Sequence, residues 1–254
     1  MLEARGLTKH YASIPALDDV SFTAQRGQVL GYLGHNGSGK STTVNILTGL
    51  LEPTRGSVLF EGRPIQEQLI DYKRRLGYVP EEPYVYPYLS GYEYLELVGR
   101  LRQMPEPLLK DKIEGLLTLF NLHSYRHSPI SSYSKGMKQK VLISAALLHN
   151  PDVLIFDEPL SGLDVTSALT FRHLLIALAR EGKTVLYSSH VLETVEKVCS
   201  RVIILYRGKM VANDSVDRLR ELMSLPSLES VFAQLVVQED TEKTASDIVG
   251  VMKG

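Results

Sequence analysis

The feature that most constrains this chain is a glycine-rich run, GHNGSGKST, that begins at Gly34 and ends at Thr42. It fits the pattern G-x-x-x-x-G-K-[ST] at every fixed position. The glycines let backbone N–H groups point into one concavity, the following helix adds its positive N-terminus, and Lys40 adds an ammonium group. We therefore expect a nucleoside triphosphate to bind through Gly34, His35, Asn36, Gly37, Ser38, Gly39, Lys40, Ser41 and Thr42. The Ser41 hydroxyl is the expected contact to Mg²⁺.

The residues that flank this run predict the scaffold that a phosphate-binding loop requires. Gln28 to Leu33 is an apolar stretch typical of a strand, and Thr42 to Leu50 has helical periodicity. Gly49 and Pro53 are typical of the end of a helix. The sequence thus predicts a strand, then the loop, then a helix.

Composition limits the classes of protein to which the chain can belong. The 254 residues are 44% hydrophobic and 22% charged, which is sufficient for one full core with or without a subdomain. The formal net charge of −1 favours no nucleic-acid partner. No apolar run reaches the ~18 residues of a membrane-spanning helix. The single cysteine, Cys199, is expected to be buried and unreactive in a reducing compartment.

Hydrophobic periodicity changes along the chain. Strand patterns occupy 2–7, 20–23, 29–33 and 57–60, whereas 89–150 is helical and has capping-box spacing at Ser90 and Glu93. Strands at 153–156, 184–188 and 202–206 then alternate with helices at 167–180 and 191–198, which predicts a largely parallel sheet covered by helices. Segments 215–223 and 228–237 are expected to be helical, and 238–254 a loosely held polar end.

Two acidic residues follow the apolar strand that begins at Val153. The carboxyl end of a parallel strand is where such sheets present ligands, so Asp157 and Glu158 are expected beside the phosphate loop. Asp157 suits Mg²⁺, and Glu158 is the candidate to orient and polarise an attacking water. A strand-end turn without function is the alternative interpretation of the acidic pair alone.

The segment Tyr133–Met137, which reads YSKGM, precedes an apolar helix and completes a set of motifs. From Leu2 to about Ala212 their order resembles the nucleotide-binding subunit of ATP-binding cassette (ABC) transporters. Tyr133–Met137 stands where that family has its signature LSGGQ, with Ser134 and Gly136 retained. The resemblance implies that Ser134 and Gly136 contact the γ-phosphate of ATP; from the residues alone, Ser134 is equally an ordinary helix N-cap.

The resemblance assigns further roles at matching positions. The segment Ser161–Asp164 resembles the D-loop, which in that family joins two subunits across the nucleotide, and Asp164 is its candidate site residue. His190 resembles the histidine that senses the γ-phosphate. Tyr11 resembles the aromatic residue that stacks on adenine. Glu81 stands where the family has a glutamine that contacts Mg²⁺, so the expected metal ligands are Ser41, Glu81 and Asp157. The expected catalytic residues are Lys40, Glu158 and His190.

Tyrosines crowd the stretch after Glu81, at 84, 86, 88, 92 and 94. Partial burial explains these tyrosines as well as contact with a membrane subunit does. In the family, this region makes the contact with the membrane subunit. His123 and His127 have helical i, i+4 spacing, but no third ligand lies nearby in the sequence, so we predict no metal there.

The resemblance implies the P-loop NTPase fold of ABC ATPases, an α/β fold with a mixed sheet core, an inserted helical subdomain and an antiparallel β region. The expected divisions are 1–88 for the N-terminal core with the phosphate loop and antiparallel region, and 89–150 for the helical signature subdomain. Residues 151–212 form the C-terminal core and 213–254 a C-terminal helical extension and tail.

The function implied is that of an ATPase with ATP and Mg²⁺, which dimerises, most simply with an identical second ATPase subunit. It would drive a polytopic membrane subunit for export from the cytoplasmic face of the cell membrane. The exporter subtype is suggested by the Pro80-Glu81 pair and by YSKGM. The alternatives are a non-transport ABC ATPase of a soluble assembly complex and a P-loop kinase or nucleotide switch. The latter leaves Ser134 and His190 unexplained.

Overall fold

The computed structural model describes residues 1–12, 14–236, 249, 251 and 252. The loosely held end predicted for 238–254 lies outside these residues except at 249, 251 and 252, and Val237 lies outside them too. Within the described ranges, no helix combines the length and the apolar character that crossing a membrane requires.

The strands and helices that the sequence predicts occur in the predicted order, with shifted ends and with additional elements between them. The strands are β1 Leu2–Tyr11, β2 Ile14–Ala24, β3 Gln28–Gly34, β4 Arg55–Phe60, β5 Arg63–Pro64, β6 Leu76–Val79, β7 Val153–Asp157, β8 Thr184–Ser188, β9 Arg201–Tyr206 and β10 Lys209–Asp214. The α-helices before residue 237 are α1 Lys40–Leu47, α2 Leu69–Arg74, α3 Gly91–Leu101, α4 Glu106–Leu119, α5 Lys135–Leu147, α6 Val165–Arg180, α7 Leu192–Val198, α8 Val216–Met223 and α9 Leu228–Val236. The sequence pattern did not indicate β5, β6, β10 or α2.

The central sheet has the strand order β10-β9-β3-β8-β7-β6. All neighbours are parallel except β10, which pairs antiparallel with β9, so the prediction of a largely parallel sheet is confirmed. Only β8 separates β3 from β7. The loop after β3 and the acids at the end of β7 therefore meet at one edge, the carboxyl edge, of the sheet.

A second, antiparallel sheet covers one face of the central sheet, in the order β2-β1-β4-β5. The two sheets share a core to which α1 contributes Val44 and Ile46, both fully buried. The Asp18 N–H donates to the Gly208 carbonyl at 2.9 Å and joins the second sheet to the turn between β9 and β10. This sheet thus holds α1, and with it the phosphate loop, against the central strands.

Helices cover the opposite face of the central sheet, where α6, α7 and α9 bury Phe171, Leu175, Val195 and Val231. The thiol of Cys199 lies in the same core, where burial raises its pKa, so the prediction of a buried cysteine is confirmed.

A separate core joins α3, α4 and α5 in the segment between β6 and β7. The predicted capping box starts α3: the Glu93 N–H donates to the Ser90 hydroxyl at 3.2 Å, and the Ser90 N–H donates to the Glu93 carboxylate at 2.8 Å. Such a cap stabilises a helix by about 1 kcal/mol. The helical insert predicted between the two halves of the core is therefore present.

Candidate functional site

The phosphate loop takes a backbone shape that requires glycine at two positions. Gly37 and Gly39 have φ angles of 78° and 106°, in the left-handed region that other residues rarely adopt. A Cβ on Gly39 would also lie 2.5 Å from the carbonyl oxygen of Ala16 in β2. Any side chain at Gly39 would therefore displace the loop from β2 and change the direction of its N–H groups.

The first turn of α1 is anchored beneath the loop, and Lys40 lies at its start. Thr43 is fully buried, accepts a hydrogen bond from the Tyr32 hydroxyl at 2.9 Å and donates to the Gly39 carbonyl at 3.0 Å. The Lys40 ammonium donates to the carbonyls of Gly34 at 2.6 Å and His35 at 3.3 Å. A bound phosphate can take over these hydrogen bonds, because the ammonium lies on a flexible stem beside the loop.

Asp157 and Glu158 lie at the carboxyl end of β7, where the sequence predicts them, and both are buried. The pKa of Asp157 is raised to about 6, chiefly by burial and also by the carboxylates of Glu81 and Glu158, although the Ser188 hydroxyl and Lys40 act to lower it. The carboxylates at this edge of the sheet thus concentrate negative charge that a cation would neutralise.

Glu158 contacts His190 directly: the His190 Nδ1 lies 2.8 Å from the Glu158 Oε2. Glu158 has φ of 46°, unusual for a residue with a long side chain. Two backbone hydrogen bonds hold it there, from its N–H to the Ser188 carbonyl at 3.0 Å and from the Ser161 N–H to its carbonyl at 3.2 Å. Strained backbone of this kind is concentrated at functional sites, because a surrounding structure must maintain it.

These groups line one open cleft of about 760 Å³, a size that suits a nucleotide. Its lining is Ala16, His35, Asn36, Gly37, Gly39, Lys40, Ser41, Thr42, Glu81, Asp157, Glu158 and His190. Ala16 is the residue that sequence reasoning missed, since an alanine in a strand carries no chemical signal and only the position of β2 brings it to the cleft.

Gly34 and Ser38 lie behind the cleft lining and shape the loop from within. A Cβ on Gly34 would overlap the Ser38 hydroxyl and lie 2.7 Å from the Leu205 carbonyl oxygen. Ser38 is fully buried. Both residues therefore fit a role in the packing of the loop.

Ser134, Gly136 and Asp164 also lie outside the cleft lining, and each has a contact within its own chain. The Ser134 hydroxyl caps α5 by accepting from the Met137 N–H at 3.2 Å. A Cβ on Gly136 would overlap the carbonyl of Gly162. Asp164 caps α6 through Ser167, whose hydroxyl and N–H lower the pKa of Asp164 to about 2. The turn before α5 and the segment before α6 thus contact each other outside the cleft lining.

Tyr11 ends β1 away from the cleft lining, half exposed, with the Lys9 ammonium 5.6 Å from its ring centroid. The exposed part of the ring is accessible to contact with another ring.

The crowded tyrosines divide into two groups. Tyr92 and Tyr94 pack partly buried against the helical core, whereas Tyr84, Tyr86 and Tyr88 are 78%, 62% and 92% exposed. Burial therefore accounts for Tyr92 and Tyr94, whereas it does not account for the three exposed tyrosines.

His123 and His127 have other neighbours: His123 lies 3.2 Å from the Glu114 carboxylate, and the His127 ring contacts that of Tyr92. In the described part of the chain, no three His, Cys, Asp or Glu side chains converge as a metal site would require.

Comparisons of the sequence and of the structure with known proteins point to the same family. A family model described as "ABC transporter" matches residues 17–161. The chain is 36% identical over 226 residues to the ABC transporter ATP-binding protein NatA of Bacillus subtilis, covering 89% of this chain and 92% of that protein. It is 33% identical to the ABC-type transporter ATP-binding protein EcsA of Bacillus subtilis, covering 94% and 98% of the two chains.

Solved structures agree with the sequence relatives. A structure described as the ATP-binding subunit of an ABC transporter has a TM-score of 0.87 at 33% identity and covers 92% of this chain and 99% of its own. The dimeric post-hydrolysis state of the cassette MJ0796, bound to ADP and Pi, has a TM-score of 0.79 at 27% identity and covers 85% and 98%. The fold is accordingly the P-loop fold of ABC ATPases, and the chain belongs to the ABC transporter family as an ATP-binding ATPase subunit.

Proposed function

We propose that two copies of this chain close around ATP and that hydrolysis reopens them, driving a separate membrane subunit that exports its cargo. The observation that carries the proposal is the division of the motif residues into two sets. Lys40, Glu158 and His190 line the cleft, whereas Ser134 and Gly136 lie outside it on another surface. A cleft open on one side leaves room for the second set to be supplied by a partner copy.

Within one chain, Glu158 is the group that orients and polarises the attacking water, and His190 holds the Glu158 carboxylate and contacts the γ-phosphate. The 2.8 Å contact between these side chains supports this division of roles. Phosphoryl transfer requires mainly positioning and neutralisation of charge, for which Lys40 and the loop N–H groups are suited.

Mg²⁺ fits the oxygen groups that the cleft presents. Asp157 and Glu81 offer carboxylates and Ser41 a hydroxyl, which are the hard ligands that Mg²⁺ prefers together with phosphate oxygens and water. The raised pKa of Asp157 marks a carboxylate that a cation would stabilise. When bound, Mg²⁺ neutralises the charge of the phosphates.

The partner copy would contribute Ser134, Gly136 and Asp164, and the adenine ring would stack on Tyr11. The Ser134 hydroxyl and the N-terminal N–H groups of α5 offer donors to the γ-phosphate. Loss of that phosphate on hydrolysis removes the ligand that the two chains share, so the dimer opens. The proposed dimer has identical chains.

The exposed tyrosines Tyr84, Tyr86 and Tyr88 are the proposed contact with a polytopic membrane subunit. Tyrosine is suited to interfaces that are partly wet, and tyrosines are enriched at the binding surfaces of proteins. The segment also follows Glu81 directly in the chain, so a movement of Glu81 in the cleft can be transmitted to these tyrosines. The proposed location is the cytoplasmic face of the membrane, and the export direction rests on the Pro80-Glu81 and YSKGM sequences.

The proposal is tested by affinity purification of the chain from detergent-solubilised membranes. We expect a polytopic membrane protein to co-purify and to change the ATPase rate, and the triple variant Tyr84→Ala, Tyr86→Ala, Tyr88→Ala to lose it. Tyr125→Ala, which alters another exposed tyrosine, is the control. Recovery of soluble partners alone contradicts the transport function and favours the assembly-complex alternative. ATP-driven loss of cargo from cells or loaded vesicles tests the direction.

A further inference from the structure

The helix that follows His190, α7, is held by the C-terminal extension through one carboxylate. Glu196 on α7 accepts a hydrogen bond from the Leu228 N–H, at the start of α9, at 3.4 Å. Its other oxygen lies 3.3 Å from Nη1 of Arg220 on α8. A single side chain of α7 thus contacts both C-terminal helices.

Apolar packing reinforces this contact. Leu228 and Val231 of α9 are fully buried in the same core as Val195 and Val198 of α7. Ser227 completes the start of α9 by accepting from the Ser230 N–H at 3.2 Å. Helix α9 is therefore seated on α7, with Glu196 at the point where α9 begins.

A second contact holds the same short helix two residues earlier, at Thr194. Arg172 of α6 donates from Nη2 to the hydroxyl of Thr194 at 2.6 Å, and Thr194 is fully buried. Helix α6 follows directly after Asp164, which caps it. Helix α7 therefore lies between the helix that begins at the predicted subunit-joining segment and the C-terminal extension.

The position of α7 matters because it determines where the His190 side chain lies. The imidazole is 75% exposed and contacts Glu158, so little packing around the ring determines where it lies. The next residue along the chain, Val191, is bound to the first turn of α7: the Thr194 and Val195 N–H groups donate to the Val191 carbonyl at 3.0 and 3.2 Å. A shift of α7 would move His190 away from Glu158.

We propose that the C-terminal helices α8 and α9 position His190 for ATP hydrolysis, with Glu196 as the positioning residue. This inference rests on the proposed function, because it assigns His190 to the hydrolytic step. It gives residues 215–236 a role in the rate of hydrolysis, separate from ATP binding. Glu196 touches neither ATP nor the attacking water and acts through α7 alone.

The test compares Glu196→Gln with the matched control Glu193→Gln. Glu193 lies on the same helix and has its own ion pair, to Lys197 at 2.6 Å, but does not contact the C-terminal helices in the described structure. The first measurement is backbone hydrogen exchange of the nucleotide-free protein at residues 190–198, with β8 as internal reference. The second is kcat and KM for ATP, at a temperature where each variant is fully folded.

We expect Glu196→Gln to speed exchange at residues 190–195 without affecting β8. We also expect it to lower kcat roughly threefold to tenfold with KM unchanged, the range typical of residues that act at a distance. Arg220→Met should act in the same direction, and the double variant should be no worse than the stronger single variant. Glu193→Gln should change neither measurement.

Unchanged exchange at 190–195 in Glu196→Gln overturns the inference, as does faster exchange with unaltered kcat, which would make the contact merely structural. An equal fall in kcat in the Glu193 control overturns it as well. These outcomes differ from failure of the proposed function, which would appear as a wild-type chain that hydrolyses no ATP with its partner present.

Discussion

Replacing Asp157 with asparagine should stabilise the ligand-free protein at neutral pH while it removes Mg²⁺-dependent hydrolysis. Asp157 is only 4% exposed and lies among other carboxylates. Burial raises its pKa from the ordinary value of 3.8 to about 6. Asparagine keeps the shape of the side chain and carries no charge, so the change removes the unfavourable charge with little change in packing.

The difference between these two pKa values sets the size of the effect. At pH 7.5 the ionised Asp157 destabilises the folded state by about 3 kcal/mol relative to the unfolded chain. Between pH 6 and 3.8 the folded state binds more protons at this group than the unfolded state does, so stability rises as the pH falls. At pH 5 the remaining penalty is about 1.5 kcal/mol.

His149 acts in the opposite direction over the same range. Burial, assisted by the charge of Arg102, lowers the pKa of His149 from 6.5 to about 4. The unfolded state therefore binds more protons at His149, and stability is lost as the pH falls through this window. Wild type and Asp157→Asn both contain His149, so the difference between their free energies of unfolding isolates the contribution of Asp157.

The assay is urea unfolding in EDTA without nucleotide, at pH 7.5 and pH 5, for both proteins. We expect the variant to be more stable by up to about 3 kcal/mol at pH 7.5 and by about half of that at pH 5. The control Asp71→Asn removes a carboxylate that is 75% exposed and should change stability by less than about 0.5 kcal/mol. A variant no more stable than wild type at pH 7.5, or an advantage that does not shrink at pH 5, refutes the reasoning.

Three further substitutions test other parts of the site. Lys40→Ala should abolish hydrolysis in a phosphate-release assay, because the loop loses its mobile cation; a rate near that of wild type would contradict this role. Ser134→Asp should keep the cap on α5, since aspartate caps helices as well as serine does, but should abolish ATP-driven dimerisation by repelling the γ-phosphate. If Ser134 serves only as a cap, that variant will dimerise normally. Glu81→Gln should tighten binding of metal-free ATP roughly threefold to tenfold by removing one nearby negative charge, measured by calorimetry in EDTA, and an unchanged affinity would argue against proximity to the phosphates.

The local parts of the fold could be predicted from the sequence because short-range patterns determine them. The order of β3, loop and α1, the capping box of α3 and the alternation after β7 all follow from residue spacing. The strand β6 was missed because it has four residues with a glycine inside and acquires its stability from pairing with β7. Strand β1 is longer than its apolar pattern because shifts in register interrupt the alternation.

Residues of the site could be predicted from the sequence only where a local motif identifies their chemical role. The residues expected to bind phosphate and metal were identifiable from their types and spacing, and the structure brings Lys40, Asp157, Glu158 and His190 to one cleft. The close approach of Ala16 and the link from Glu196 to the C-terminal helices depend on contacts between distant segments, for which one sequence has no signal. The positive φ of Glu158 likewise depends on hydrogen bonds made only in the folded protein.

The central claim is that one chain contains half of the ATP site and that a second chain completes it. The most direct test is the molar mass of Glu158→Gln in solution, measured by light scattering with and without Mg-ATP. We predict a monomer without nucleotide and a stable particle of twice that mass with Mg-ATP, because ATP is bound and not cleaved. Adding Ser134→Asp to this variant should return it to the monomer. A Glu158→Gln chain that stays monomeric with saturating Mg-ATP, or that hydrolyses ATP at the wild-type rate, would contradict the account.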